Sequence, residues 1–319
     1  MERRGEYVWR DNFLRRGAAA SLCETATKSC HMRQLVLFCI LLFYMYVQGG
    51  EAMASLAGKR LFLLDMDGTL YLDDRLFPKV PEFLSLIRRR GGRYLFVTNN
   101  SSRGVEGYRE KLGRMGIATE PSDYMTSADA AEHTLLTEFA GQKCYVSGTA
   151  SLKRQLKEAG VDVTDVLSDD IDLLLSGFDT ELTFQKLEDS CILLNRGVTW
   201  LATNPDWVCP TWYGSVPDCG SVCEMLHRAT GKTPRFLGKP QPEMVRLALE
   251  RTGFAPQQAV VIGDRLYTDV ACGINAGIDS IFVLSGEGVM GDMAKYRLNP
   301  TWVYEDIAQI YLILEEDAS

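Results

Sequence analysis

From Lys59 onward, short unbroken apolar runs alternate with segments of helical spacing. Leu61-Phe62-Leu63-Leu64 ends at Asp65, Tyr94-Leu95-Phe96-Val97 ends at Thr98, Ala259-Val260-Val261-Ile262 runs into Gly263-Asp264, and residues 280–284 form a further run. Runs of this length without polar alternation predict strands buried on both faces. Between them, residues 80–90 carry Phe83, Leu84 and Ile87 at helical spacing and stop at Gly91-Gly92; residues 105–115 stop at Gly116, and residues 268–276 stop at Gly277. The alternation predicts an α/β fold with a parallel sheet covered by helices on both faces.

A second set of the same kind occupies the middle of the chain. Residues 143–146, 172–175 and 199–202 read as strands, and residues 151–159, 183–195 and 221–229 as helices. This set predicts a smaller α/β unit inserted into the first. The 319 residues then divide into an N-terminal extension, 1–52, a core built from 53–141 and 233–319, and the inserted unit, 142–232.

In an open parallel sheet, ligands bind beyond the carboxyl ends of the strands. The polar residues collect there: Asp65 and Asp67 after the first strand, Thr98-Asn99-Asn100-Ser101 after the second, Lys239 after residues 235–238, and Asp264 with Asp269 after residues 259–262. This set suits attack on a phosphate monoester. An attacking carboxylate is repelled by the phosphate dianion, and Mg²⁺, which prefers oxygen ligands, removes that barrier. Asp65 and Asp264 supply such oxygens, and Lys239 offsets charge on the transferring phosphoryl group. The Thr98 hydroxyl and the N–H groups after it suit the remaining phosphate oxygens. The chain turns at Gly68, so the Asp67 carboxyl group faces the leaving group, where it can protonate an alcohol and later deprotonate water.

Charge and cysteine usage narrow the partners. The net charge is −8; the first 34 residues hold seven Lys/Arg against four Asp/Glu, and the remainder 27 against 38. An acidic body disfavours nucleic acid but not a small phosphorylated metabolite, which needs only a local positive site. The nine Cys include no Cys-x-x-Cys pair, which argues against zinc and for a reducing, cytoplasmic setting of the body. The extension sits awkwardly with that reading. Residues 35–47 are an unbroken apolar run of 13, shorter than the roughly 20 that span a bilayer. Ala52-Met53-Ala54 after it resembles a cleavage site, whereas Met53 directly before the first strand suggests an over-extended start. Membrane association is expected only if residues 35–47 are a genuine anchor.

Asp65-Met66-Asp67-Gly68-Thr69, Thr98-Asn99-Asn100, Gly238-Lys239-Pro240 and Gly263-Asp264-Arg265-Leu266-Tyr267-Thr268-Asp269 resemble, in order, the motifs of the haloacid dehalogenase superfamily. The resemblance is to its subclass IIA, the para-nitrophenyl phosphatase and sugar-phosphatase group, and runs from Ser55 to the C-terminus. It implies a Rossmann-like core with an inserted α/β cap of the C2 type. It implies Asp65 as nucleophile, Asp67 as acid/base, and Mg²⁺ held by the Asp65 carboxylate, the Asp67 backbone carbonyl and Asp264. Lys239 and Thr98 would contact phosphate with Asn99 beside them, and Asp269 would support the metal site. In that subclass the cap governs substrate choice, which singles out Asp206 in Thr203-Asn204-Pro205-Asp206-Trp207. The expected reaction is Mg²⁺-dependent hydrolysis of a sugar phosphate or related metabolite, and a homodimer through the cap is a further expectation. A phosphomutase, and a non-catalytic phosphate-binding or membrane-tethered protein, stay open as alternatives.

Overall fold

The structure is a computed structural model and describes residues 55–211 and 213–316; the apolar run at 35–47 lies outside them. Its main sheet has six strands, all parallel, in the order Trp302–Tyr304, Asp279–Val283, Ala259–Gly263, Leu61–Leu64, Arg93–Thr98, Tyr124–Thr126. Leu61–Leu64 lies at the centre and is buried throughout. Leu64 sits beside Ile262 on one side and Phe96 on the other, so the first and fourth motifs leave the sheet at one level. One face carries an apolar layer of Phe62, Leu64, Phe83, Ile87, Phe96 and Ile262, and the other a layer of Leu61, Leu63, Val97, Val245 and Val261. The fold is the expected parallel α/β type with helices on both faces.

Local chemistry sets the helix boundaries. Val80–Arg89 has Pro in its first turn and buries Val80, Phe83, Leu84, Leu86 and Ile87 on one face. Ser127–Thr137 begins at a capping box in which the Thr126 side chain and Asp129 satisfy each other's backbone N–H groups. The helix expected over 268–276 is interrupted. Leu266–Val270 is a π-helical turn and Ala271–Ala276 an α-helix. The wider turn lets the Asp269 carboxylate fold back to accept from the Arg265 N–H at 3.2 Å.

The second sheet has five parallel strands in the order Arg235–Phe236, Thr199–Ala202, Leu173–Ser176, Cys144–Ser147, Val163–Thr164. Its outer strand, Arg235–Phe236, lies past residue 232, where the sequence reading ended the inserted unit. Val208–Thr211 and Gly214–Pro217 of the same unit pair as an antiparallel hairpin. No helix among the described residues is long and apolar enough to cross a membrane.

Candidate active site

Asp65 is the first residue beyond the central strand, and its N–H donates to Ile262 O at 2.9 Å, extending the parallel ladder to the carboxylate. Lys239 arrives from the second sheet: Leu237 N–H donates to Ala202 O and Gly238 N–H to Thr203 O. The buried Lys239 ammonium then donates to Asp65 Oδ1 at 2.7 Å, Asp269 Oδ1 at 2.6 Å and Val97 O at 3.0 Å. Burial opposes its charge, but Asp269 and Asp65 hold its pKa above the usual lysine value. Asp264 is fixed by the Glu287 N–H, which donates to Oδ2 at 2.7 Å.

Asp65, Asp264 and Asp269 bring carboxylate oxygens within 4.8 Å of one another. Lys239 is the one ammonium bonded among them, so the fully ionised cluster carries surplus negative charge. Burial pushes Asp65 up to about 8, against the pull of Lys239 and with Asp269 and Asp264 adding to the rise. Burial and then Asp269 push Asp264 up to about 6. The backbone is shaped around Asp264. A Cβ on Gly68, whose φ is +84°, would stand 2.5 Å from Asp264 Oδ2, and one on Gly286 would stand 2.0 Å away. Buried hard oxygens, surplus charge and a side-chain-free cradle fit a small divalent cation such as Mg²⁺. Asp65 and Asp264 line the cavity above. Asp269 lies behind it, 1% exposed, with one oxygen on Lys239 and the other on the Arg265 N–H.

This arrangement predicts a pH-dependent stability. The folded values of Asp65 and Asp264 lie above the ordinary 3.8, as does that of Asp218 on the cavity wall, at about 7. Their contribution to stability is therefore complete below about pH 4 and is lost as pH rises through about 6 and about 8. Asp170, held down to about 2 by the Ser168 hydroxyl and Lys143, titrates below this window. Chelator-treated protein is expected to melt at progressively lower temperature from about pH 5 to about pH 9, a loss on the order of a few kcal/mol. Added Mg²⁺ should raise the melting temperature more at the alkaline end; a melting temperature flat with pH and unmoved by Mg²⁺ would refute the cation site.

Asp67 is separate from this cluster although only two residues from Asp65. Its Oδ1 is 3.2 Å from the Lys111 ammonium, and the Tyr71 hydroxyl donates to its Oδ2 at 3.3 Å. Thr98 lines the cavity and its Oγ1 accepts the Asn100 N–H at 3.2 Å. The Asn99 side chain bridges core and cap: Nδ2 donates to Asp206 Oδ2 at 3.1 Å and to Lys239 O at 2.9 Å. Further bonds close the same seam, from Asn204 Nδ2 to Asn99 O at 2.9 Å and between the hydroxyls of Ser101 and Thr203 at 3.0 Å. Burial raises the pKa of Asp206, with Asn99 opposing.

Above the acids lies a cavity of about 1060 Å³. Asp65, Asp67, Thr98, Asn99, Lys239 and Asp264 line it from the core, and Phe178, Asp206, Val208, Tyr213 and Asp218 from the inserted unit. Sequence reasoning missed Arg265, Lys111, Tyr71 and Asp218. Asp218 caps the helix Cys219–Thr230, and burial pushes it up to about 7. Gly286-Glu287-Gly288, a short loop soon after the strand Asp279–Val283, clamps Asp264, and its position after a strand is the only sequence signal for that role.

Comparison with known proteins agrees with this geometry. The family profile described as haloacid dehalogenase-like hydrolase matches residues 62–162, and a second, HAD-hydrolase-like, matches residues 236–310. An acid sugar phosphatase of Staphylococcus aureus is 31% identical over 257 residues, covering 81% of this chain and 98% of its own. The crystal structure of a 4-nitrophenylphosphatase from Thermotoga maritima, 37% identical, covers 81% of this chain and 98% of its own with a TM-score of 0.76. A glycerol phosphate phosphatase from Mycobacterium tuberculosis, in complex with magnesium, is 31% identical and covers 81% of this chain and 78% of its own with a TM-score of 0.75. The fold and site thus define a phosphoric monoester hydrolase. The chain belongs to the haloacid dehalogenase-like hydrolase family.

Proposed function

We propose that this enzyme hydrolyses small phosphate monoesters through an aspartyl-phosphate on Asp65, with Mg²⁺ held by the Asp65 and Asp264 carboxylates and the Asp67 backbone carbonyl. The observation that carries the proposal is the meeting of Asp65, Asp264 and Lys239 at the carboxyl edge of the sheet, on the floor of the cavity. A bound Mg²⁺ supplies charge neutralisation between the attacking carboxylate and the phosphate.

The chain's own residues carry the rest. An Asp65 carboxylate oxygen bonds to phosphorus as the ester P–O bond breaks. Asp67 gives its proton to the departing oxygen, so that an alcohol leaves. Lys239, held between Asp65 and Asp269, faces the charge on the transferring group. Thr98 and the N–H groups beyond it hold the phosphoryl oxygens. Water then attacks the aspartyl-phosphate, Asp67 takes its proton, and inorganic phosphate leaves with Asp65 regenerated.

A cavity of about 1060 Å³ lined from both the core and the inserted unit suits a metabolite rather than a phosphoprotein. The phosphatases of sugars and glycerol phosphate among the relatives support a polyol or sugar leaving group. Asp206 and residues Val208, Thr211, Val216 and Pro217 of the hairpin line the cavity, and in this reading they meet the leaving group. The test is release of inorganic phosphate from 4-nitrophenyl phosphate and from a panel of phosphorylated metabolites. Activity should fall about 100-fold or more under chelation and return with Mg²⁺. Full activity in chelator would refute the metal dependence, and transfer of the phosphoryl group to a sugar without free phosphate would make the enzyme a mutase.

A further inference from the structure

We propose that Lys111 is a positioning residue for Asp67, acting with Tyr71 to hold the Asp67 carboxyl group toward the leaving group. The proposal rests on Asp67 being the general acid of the reading above.

Asp67 by itself is poorly placed to be orderly. Its side chain is 61% exposed and follows a strand end, where a carboxylate is free to turn about its last bond. Two contacts remove that freedom. The Lys111 ammonium meets one oxygen at 3.2 Å, and the Tyr71 hydroxyl meets the other at 3.3 Å. The two holders also fix each other: the Lys111 ammonium lies 4.0 Å from the centre of the Tyr71 ring. Tyr71 is fully buried, and its backbone O accepts the Gly68 N–H at 2.8 Å, within the turn that directly follows Asp67. Lys111 stands on the helix Val105–Arg114, with its side chain 24% exposed and on the cavity wall.

The partners of the two acids do not overlap. Asp65 is bonded to Lys239 in the buried cluster, whereas Asp67 is bonded to Lys111 and Tyr71 at its edge. A lone exposed ion pair would fix little. Here the cation is also seated on an aromatic ring, and the second oxygen is separately bonded, so the carboxyl group has one orientation.

Leaving-group chemistry separates positioning of a proton donor from general support of the site. 4-Nitrophenolate is a stable anion and departs without a proton, whereas an alkoxide does not. The experiment measures kcat/KM for glycerol phosphate and for 4-nitrophenyl phosphate with Mg²⁺ present. In this ratio only steps up to release of the alcohol count. Asp67→Asn should lower the alkyl-to-aryl ratio by about 100-fold and Lys111→Met by about tenfold, with Tyr71→Phe shifting it the same way and Lys111→Arg restoring most of it. If Asp67→Asn lowers the ratio and Lys111→Met lowers both substrates equally, or neither, the positioning proposal is overturned and the acid stands. If Asp67→Asn leaves the ratio unchanged, the acid assignment itself falls, and the role of Lys111 with it.

Discussion

Asp65→Asn is expected to abolish turnover, by about 10⁴-fold or more, and to leave no phosphorylated enzyme. The substitution is nearly isosteric. The amide oxygen can still accept the Lys239 ammonium, which now stands 2.7 Å from Oδ1, so the site should keep its shape. What the substitution would remove is the proposed nucleophile, because a neutral amide does not attack phosphorus. The variant also sheds surplus negative charge from the buried cluster of Asp65, Asp264 and Asp269. Its metal-free form should therefore melt no lower than wild type, while gaining less from added Mg²⁺. Phosphate release, an intact-mass search for a covalent phosphate and paired melting curves give the three readouts. Turnover near the wild-type rate would place the nucleophile elsewhere.

The parts of this site that were legible in the sequence are those that strand ends dictate. A strand buried on both faces is written as an unbroken apolar run, and the residue where the run stops is at the sheet edge. Asp65 after Leu61–Leu64 and Asp264 after Ala259–Gly263 follow directly, because those two strands are neighbours in register. Asp269 is harder. It reaches Lys239 only because Leu266–Val270 is π-helical, and nothing in the residue types announces that turn. The Asn99 side chain, at the cavity wall, also joins Asp206 to the Lys239 carbonyl, a contact that depends on the inserted unit packing against the core. Lys111 lies 44 residues from Asp67, on a helix whose pattern says only which face is buried. The strand Arg235–Phe236 is two residues long and finds its sheet only through the longer Thr199–Ala202 beside it. In each case the missing information was tertiary: a short or polar segment takes its position from what packs on it.

Lys239→Met should remove both activity and a large part of the stability, and a second substitution should separate the two. Lys239 is buried, and its ammonium bonds Asp65, Asp269 and the Val97 carbonyl. Removing it leaves Asp269, 1% exposed, with the Arg265 N–H as its remaining hydrogen-bond donor among the described residues. Breaking one side of a buried ion pair costs about 3–5 kcal/mol because the other charge remains uncompensated. If Lys239 is the cation that faces the transferring phosphoryl group, as proposed, removing it should lower kcat/KM by about 10³-fold. Asp269→Asn in the Lys239→Met background takes away the stranded charge, so most of the lost stability should return in urea unfolding. Activity should not return, because nothing in the double variant replaces the ammonium beside Asp65. Recovery of both would make Lys239 a purely structural cation. Recovery of neither would mean that Asp65, not Asp269, is the acid whose charge Lys239 chiefly offsets, and Asp65→Asn in the same background would then be the variant that restores the fold.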